Sequence, residues 1–470
     1  MSSHFSSAVD LTQRLANGDL RAEQVMEDTL ARIGAINPKV NALVGMASPD
    51  DLLAQARAAD QSAPCGPLHG LPIAVKDLVE VAGLRSTHGS PVYADHVPKA
   101  DHLLAARLRE AGAILIGKTN VPEFGLGSHT FNPVYGATRN PYAPDLSCGG
   151  SSGGAAVALA TGMTALADGS DMMGSLRNPA AWNNVYGLRP SWGAVPSEPV
   201  GDAFLHQMAT LGPMARSPQD IALLLDVLAG PDPRQPLNAA YAPVGTLDPA
   251  QMQGKRIGWL GDWGGAFPTE PGILTLCETA LAVFQDLGCV VEPVAPPMES
   301  EPLWQAWVAL RAYQVASGLE PLLAQPDLLK DTAKWEIETG LSLSAMDVHR
   351  ASVTRSDWFR RAAALFDTYD ALVLPGAQVW PFALDLDWPR QINGVAMDTY
   401  HRWMQVMVPA SLIGVPALAI PAGFGDTGLP MGVQVIGPRG GDADLLRLGA
   451  AYHAATHWPQ LRPAMSDGQG

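Results

Sequence analysis

The stretch from Cys148 to Ala181, CGGSSGGAAVALATGMTALADGSDMMGSLRNPAA, constrains this chain more than any other. Ser151 and Ser152 lie between two pairs of glycines, at 149–150 and 153–154, and a third serine, Ser175, follows the lead-in Gly-Ser-Asp-Met-Met-Gly. A glycine inside regular structure costs roughly 0.5–1 kcal/mol relative to alanine, because it has the most conformational freedom to lose. Two pairs so close together therefore point to a special turn or to something that approaches the backbone closely. The run Ala155–Ala160 is a helix pattern with Gly162 as its stop. That sets the serine loop at a helix N-terminus, where unpaired N–H groups favour anions. Met163–Ala167 is short and apolar, a buried-strand pattern leading back towards Ser175. Such an out-and-back path can bring the two serine sites together.

Composition narrows the function classes. A chain of 470 residues allows one large or two to three ordinary domains, and 47% hydrophobic with only 16% charged residues fits a compact soluble protein with a large interior. A net charge of -16 without any basic run argues against nucleic acid as a partner. The amino terminus MSSHFSSAVDLTQRL has no basic segment followed by an apolar one, so the expected location is cytoplasmic. Cys65, Cys148, Cys277 and Cys289 are scattered with no C-x-x-C pair, which fits reduced thiols better than disulfides or a zinc site. Residues 406–424 carry no charge, yet Pro409, Pro416 and Pro421 interrupt any spanning helix. Buried strand and loop is the expectation there.

Along the chain, residues 8–35 show helical spacing broken at Asn17-Gly18, and a polar helix follows at Asp50–Ala59. Leu71–Val75 is a short buried-strand pattern that ends at Lys76. A lysine there is a candidate for chemistry; taken alone it also fits an ion pair with Asp77 or a snorkelling surface residue. After a helix at His102–Ala111, GAILIGKT matches the P-loop pattern G-x-x-x-x-G-K-[ST]. Ala113–Ile116 are aliphatic and read as a strand, however, where a phosphate cradle needs an open loop. Residues 120–146 are dense in Gly, Pro and Asn, a long irregular segment of the kind that lines sites, with Phe124, Gly125 and Leu126 as candidate pocket residues. Strand, turn and helix patterns at 185–230 imply an α/β core, continued by strands at Arg256–Leu260 and Val290–Val294 around a helix at Ile273–Leu287. Residues 300–405 read as mainly helical and carry Trp304, Trp307, Trp335, Trp358, Trp380, Trp388 and Trp403, either as core aromatics or as a cap enclosing an apolar pocket. Strands at Pro416–Ile420 and Met431–Ile436 and a helix at Asp442–Thr456 close the chain.

Lys76, the Gly-Gly-Ser-Ser-Gly-Gly loop and Ser175, in this order, resemble the amidase signature family of serine hydrolases. GPLHGLPIAVKD, GAILIGKTNVPEF, GSLRNPAA, YGLRP, GPMARS and GLPMGVQVIG look like further landmarks of that family, so the resemblance covers nearly the whole chain. It implies a single α/β domain over residues 1–470 with a mixed, largely parallel sheet between helical layers. Its parts would be a helical arm at about 1–60, a catalytic core at about 61–230, a Trp-rich cap at about 300–405 and closing strands and helix at about 406–458. It also implies acyl transfer to water with Ser175 as nucleophile, Ser151, behind a cis peptide bond, as bridging serine, and Lys76 as base. Ser152, Asp171 and Arg177 would support them, and the backbone N–H groups of Met172, Met173, Gly174 and Ser175 would form the oxyanion hole. No metal or cofactor is implied. Family members commonly have glycine where this chain has Met173, so Met172 and Met173 are expected to wall the pocket and shape substrate choice.

Physical chemistry sets a condition on this assignment. A serine hydroxyl is a weak nucleophile without a positioned base. Lysine is such a base only where burial or a neighbouring cation keeps it neutral near pH 7. Lys76 must therefore be dry. The expected substrate is a small amide, apolar or aryl, with carbamates and esters also open, met by a monomer or homodimer with neither nucleic acid nor membrane as partner.

Other readings of the same residues remain. Gly149–Gly153 matches G-x-S-x-G, a nucleophile elbow with Ser151 attacking and His453 or His457 as the late histidine. Those two histidines, four apart, also resemble a metal pair, but no third ligand accompanies them. Within the family, the A component of a glutamine-dependent tRNA amidotransferase is the alternative. A silent binding protein is disfavoured, because the lysine and both serines are present.

Overall fold

Two helices, α1 (Ala8–Ala16) and α2 (Ala22–Val40), begin the chain. The computed structural model describes residues 4–197, 202–205, 207–249 and 251–467; residues 1–3 of the expected arm lie outside them. The Ser7 hydroxyl caps α1 by accepting from the Asp10 N–H at 3.1 Å, and the Asn17-Gly18 break separates the two helices as expected. Next come β1 (Leu43–Val44), α3 (Pro49–Asp60), β2 (Pro72–Lys76), α4 (Leu103–Glu110) and β3 (Ile114–Thr119). β2 and β3 pair in parallel and β1 joins the far edge of β3, giving a small sheet in the order β1-β3-β2. Every residue of β2 and β3 is buried, which is why both read as unbroken runs rather than alternating ones. Gly117, Lys118 and Thr119 of GAILIGKT are part of that strand. There is no P-loop.

Next in the chain are α5 (Gly153–Ala160), β4 (Leu166–Asp171), α6 (Arg177–Trp182), β5 (Tyr186–Arg189), β6 (Thr210–Ala215) and α7 (Pro218–Leu228). Then come β7 (Arg256–Trp259), α8 (Ile273–Asp286), β8 (Val290–Pro293) and three cap helices, α9 (Ser300–Leu319), α10 (Asp331–Ser342) and α11 (Ala345–Phe366). The chain ends through β9 (Ala371–Pro375), the hairpin β10 (Gln391–Ile392) and β11 (Val395–Ala396), α12 (Val408–Ile413), β12 (Ala417–Phe424), β13 (Pro430–Ile436) and α13 (Asp442–Thr456).

Among the described residues eight strands form a mixed sheet in the order β4-β6-β5-β12-β13-β9-β7-β8. It lies between helical layers, as expected. Small residues let α5 and α6 sit closely on one side, where Ala155, Ala156 and Ala180 pack with Ala167, Met214 and Ala419; α7, α8 and α13 pack against the sheet and one another. Parallel pairing is confined to β9-β7-β8 and to the small sheet, while β4 to β9 in the sheet order pair antiparallel. The connections explain the division. β7-α8-β8 is a crossover unit, which parallel strands need, whereas β12 and β13 are joined by the short turn at 425–429. The span 300–405 also holds elements that differ from the expected helices: the short β10-β11 hairpin and β9, a fully buried strand paired with β13 and β7. A short apolar run such as Ala-Leu-Val-Leu has no period that separates strand from helix. Residues 406–424 form α12 and β12, and no helix among the described residues is long and apolar enough to cross a membrane.

Candidate active site

Three segments converge where the small sheet meets the large one. The end of β2 delivers Lys76, whose backbone N–H donates to Asp168 Oδ1 on β4 at 2.9 Å and so ties the two sheets together. The start of α5 delivers Ser151 and Ser152, and the Gly150–Ser151 peptide bond is cis. The loop after β4 delivers Ser175.

What approaches the glycines is largely the protein itself. A Cβ on Gly154 would sit 2.3 Å from the Asn120 backbone nitrogen, and one on Gly153 would sit 2.2 Å from Thr130 Oγ1. Close packing of α5 against the 120–130 segment thus accounts for the second glycine pair. Gly174 answers a different demand, with φ at 84° and Met407 where a side chain would go.

Lys76 is fully buried, and its Nζ lies 2.8 Å from Ser151 Oγ, 2.8 Å from Ser152 Oγ and 2.9 Å from Ser170 Oγ. Burial pushes its pKa down to about 7, against the pull of Asp168 and Asp171. A neutral amine has two N–H donors and one lone pair, so one of the three hydroxyls then donates to Nζ. The arrangement can take a proton from a serine near neutral pH. Asp77 does not pair with Lys76: its carboxylate accepts from the Thr87 N–H and hydroxyl, and lies 3.9 Å from the second buried lysine, Lys118.

Asp171 organises the loop that carries Ser175. Its Oδ1 accepts from the Gly174 N–H at 2.8 Å and its Oδ2 from the Leu176 N–H at 3.2 Å, while Arg177 Nε and Nη2 donate to it at 2.9 and 3.0 Å. Arg189 Nη1 lies 3.2 Å away on the other side. Burial alone would raise this carboxyl; the two guanidiniums overcome it and hold Asp171 well below the usual carboxylate range. Of the four amides expected to form an oxyanion hole, that of Gly174 is therefore already committed to Asp171. Among the described residues the N–H groups of Met172, Met173 and Ser175 have no hydrogen-bond acceptor.

Ser151 and Ser175 open onto one cavity of about 310 Å³. Phe124, Gly125, Leu126, Met172 and Met173 all line it, and α9 adds Arg311, Gln314 and Val315. The tryptophans do not line it. Trp304, Trp307, Trp358 and Trp403 are buried core residues, Trp335 is exposed, and Trp388 and Trp403 border a separate cavity behind Leu126–Ser128. The cap region therefore meets the site through α9 and through Met404. The late histidines are remote as well: His453 on α13 shares a 3.0 Å hydrogen bond with the Tyr186 hydroxyl, and neither it nor His457 borders the cavity.

Several residues of the site escape a reading of the sequence. Asp168 and Ser170 are two apart on β4 and so share a face, the one that meets Lys76. Their signal is polar residues inside a strand with buried flanks. Arg311 and its partners Glu336 and Tyr400 have no comparable local signal.

A sequence model of the family described as Amidase matches residues 24–446. The chain is 33% identical to an acylamidase of Rhodococcus erythropolis over 98% of both chains. It is 34% identical to the A component of the glutamyl-tRNA(Gln) amidotransferase of Thermus thermophilus, over 98% of this chain and 99% of that one. The crystal structure of a bacterial aryl acylamidase of the amidase signature family superposes over the full length of both chains with a TM-score of 0.93 at 29% identity.

Proposed function

Because the chain belongs to the amidase signature family of amide hydrolases, we propose that it cleaves small apolar or aryl amides through an acyl-enzyme on Ser175. The observation that carries this reading is the dry Lys76, 2.8 Å from Ser151 Oγ in the wall of the cavity that Ser175 also lines. Lys76 takes a proton through Ser151 as Ser175 attacks the carbonyl, and returns it to the leaving amine. Water then cleaves the acyl-enzyme along the same route. The free amides of Met172, Met173 and Ser175 receive the negative charge on the carbonyl oxygen, each donor of this kind being worth about 3–4 kcal/mol. Carbamates and esters present the same carbonyl, so they belong to the proposed range. The test is hydrolysis of matched anilide, primary amide, ester and carbamate substrates by the isolated chain. Turnover of anilides with weak activity on small charged amides supports the reading.

The amidotransferase relatives give the second reading a specific footing. It requires partner proteins, so unaided turnover of simple amides by this chain argues against it.

Two further outcomes are expected. Log kcat/KM rises with pH through an inflection near 7, since the base must be unprotonated and burial holds Lys76 at about 7. A flat profile from about pH 6 to 9 would remove Lys76 from that role. Met173→Gly enlarges the wall beside the nucleophile, so kcat/KM for bulky acyl groups gains about tenfold over acetyl. Unchanged ratios across the substrate panel would show that Met173 does not set acyl preference.

A further inference from the structure

The cavity wall carries a polar pair that the proposed chemistry does not use. Arg311 on α9 has a side chain only 4% exposed and borders the cavity. Its Nε donates to Glu336 Oε1 at 2.5 Å and its Nη2 to the Tyr400 hydroxyl at 2.9 Å, and that hydroxyl donates in turn to Glu336 at 2.7 Å. Among the described residues, however, Nη1 meets only the thioether sulfur of Met172 at 3.2 Å, a weak acceptor for a cationic donor. One helical turn on, Gln314 borders the same cavity, and its Oε1 is buried with no hydrogen-bond partner among the described residues. A buried guanidinium N–H and a buried amide oxygen of this kind are each left short of a partner that water would otherwise supply. Together they offer one donor and one acceptor, side by side, to whatever fills the cavity.

We propose that Arg311 and Gln314 form a subsite for a neutral amide-like group of the substrate, its carbonyl oxygen accepting from Arg311 and its N–H donating to Gln314. The preferred substrates then carry a second carboxamide, carbamate or urea group besides the bond that is cleaved. Charge decides against a carboxylate. The Arg311 cation is already matched by Glu336, and His88, which also lines the cavity, is pushed down to about 4 by burial with Lys118 nearby, so it brings no positive charge near neutral pH. A carboxylate would lose its hydration and meet no unmatched cation.

The inference rests on the amide-hydrolase reading, and two measurements keep the two apart. The first is kcat/KM for two anilide series, one substituted on the acyl chain and one on the aniline ring, each ending in a carboxamide, a carboxylate or an isopropyl isostere. In at least one series the carboxamide should exceed both others by about tenfold or more, as expected for a hydrogen bond to a charged group. Arg311→Met alone leaves Glu336 buried without its partner, so the double variant Arg311→Met/Glu336→Gln is used, with Gln314→Leu beside it. Both should erase the carboxamide preference while still turning over the isostere. Glu336→Gln, which leaves Arg311 unmatched, should shift the preference towards the carboxylate. The second measurement is calorimetric binding of the same compounds to Ser175→Ala protein, which needs no turnover. The same ranking there supports the subsite even if hydrolysis were to fail. Equal affinities for carboxamide and isostere in both series, or a preference that survives the double variant, would overturn it.

Discussion

Ser175→Ala is expected to lower kcat on any amide the protein hydrolyses by about 10⁴-fold or more, the scale seen when a nucleophile is removed from a cooperating catalytic set. Lys76→Met, which keeps much of the side-chain volume, is expected to cost a similar factor, and the Ser175→Ala/Lys76→Met pair little more than either alone. The reason is the connectivity at Lys76. Its Nζ contacts Ser151 Oγ, and Ser151 borders the same cavity as Ser175, so the expected route for a proton leaving Ser175 runs to the buried Lys76. Once the nucleophile is gone, the base has no proton to take. Ser152→Ala should do less, since Ser152 and Ser170 both hold the amine and either retains it in place. Steady-state kinetics and labelling by a fluorophosphonate check this together. Activity and labelling that survive Ser175→Ala but vanish in Ser151→Ala would reinstate the nucleophile elbow, with Ser151 attacking.

Much of that site is legible in the sequence because its parts are local. Lys76 ends a run, Pro-Ile-Ala-Val, too apolar to lie anywhere but inside, so a charge there has to be buried with partners. The serine loop declares itself through glycines, although half of that signal comes from α5 packing on Asn120 and Thr130 rather than from room for a ligand. Cap and pocket are not legible in the same way. Seven tryptophans suggest an aromatic enclosure, yet their bulk serves mainly the core, and the cap's share of the cavity wall comes from α9, with Arg311, Gln314 and Val315, and from Met404. Nothing near Arg311 announces its role, because its partners lie 25 residues on at Glu336 and 89 residues on at Tyr400. Pairings that depend on how three distant elements pack leave no period in the sequence. The same holds for β9, whose place between β13 and β7 is a property of the sheet, not of its own residues.

Asp171→Asn is expected to destabilise the fold by about 3–5 kcal/mol, the cost of leaving buried charge without its partner. The substitution is nearly isosteric, so no cavity forms and the loss is electrostatic. Asp171, Arg177 and Arg189 are all fully buried, and one carboxylate serves both guanidiniums. Arg177 has other acceptors in Ser411 Oγ and Gln434 Oε1, and Arg189 in the carbonyls of Asp171 and Met208, but none of these is charged. Without the carboxylate two cations remain in a dry site. Asp357→Asn is the matched control: its ion pair with Arg361 spans one helical turn at 2.9 Å with both side chains about half exposed, a setting in which such a pair contributes less than about 1 kcal/mol. Denaturant midpoints for the two variants separate the cases. The carboxamide introduced at position 171 can still accept at one oxygen but no longer at two, so either the Gly174 or the Leu176 N–H loses its acceptor and the loop that carries Ser175 loosens. A fall in kcat should therefore accompany the fall in stability under conditions where the variant remains folded. Wild-type stability with wild-type kcat in Asp171→Asn would show that the arginines find their balance elsewhere and that Asp171 does not hold the nucleophile loop.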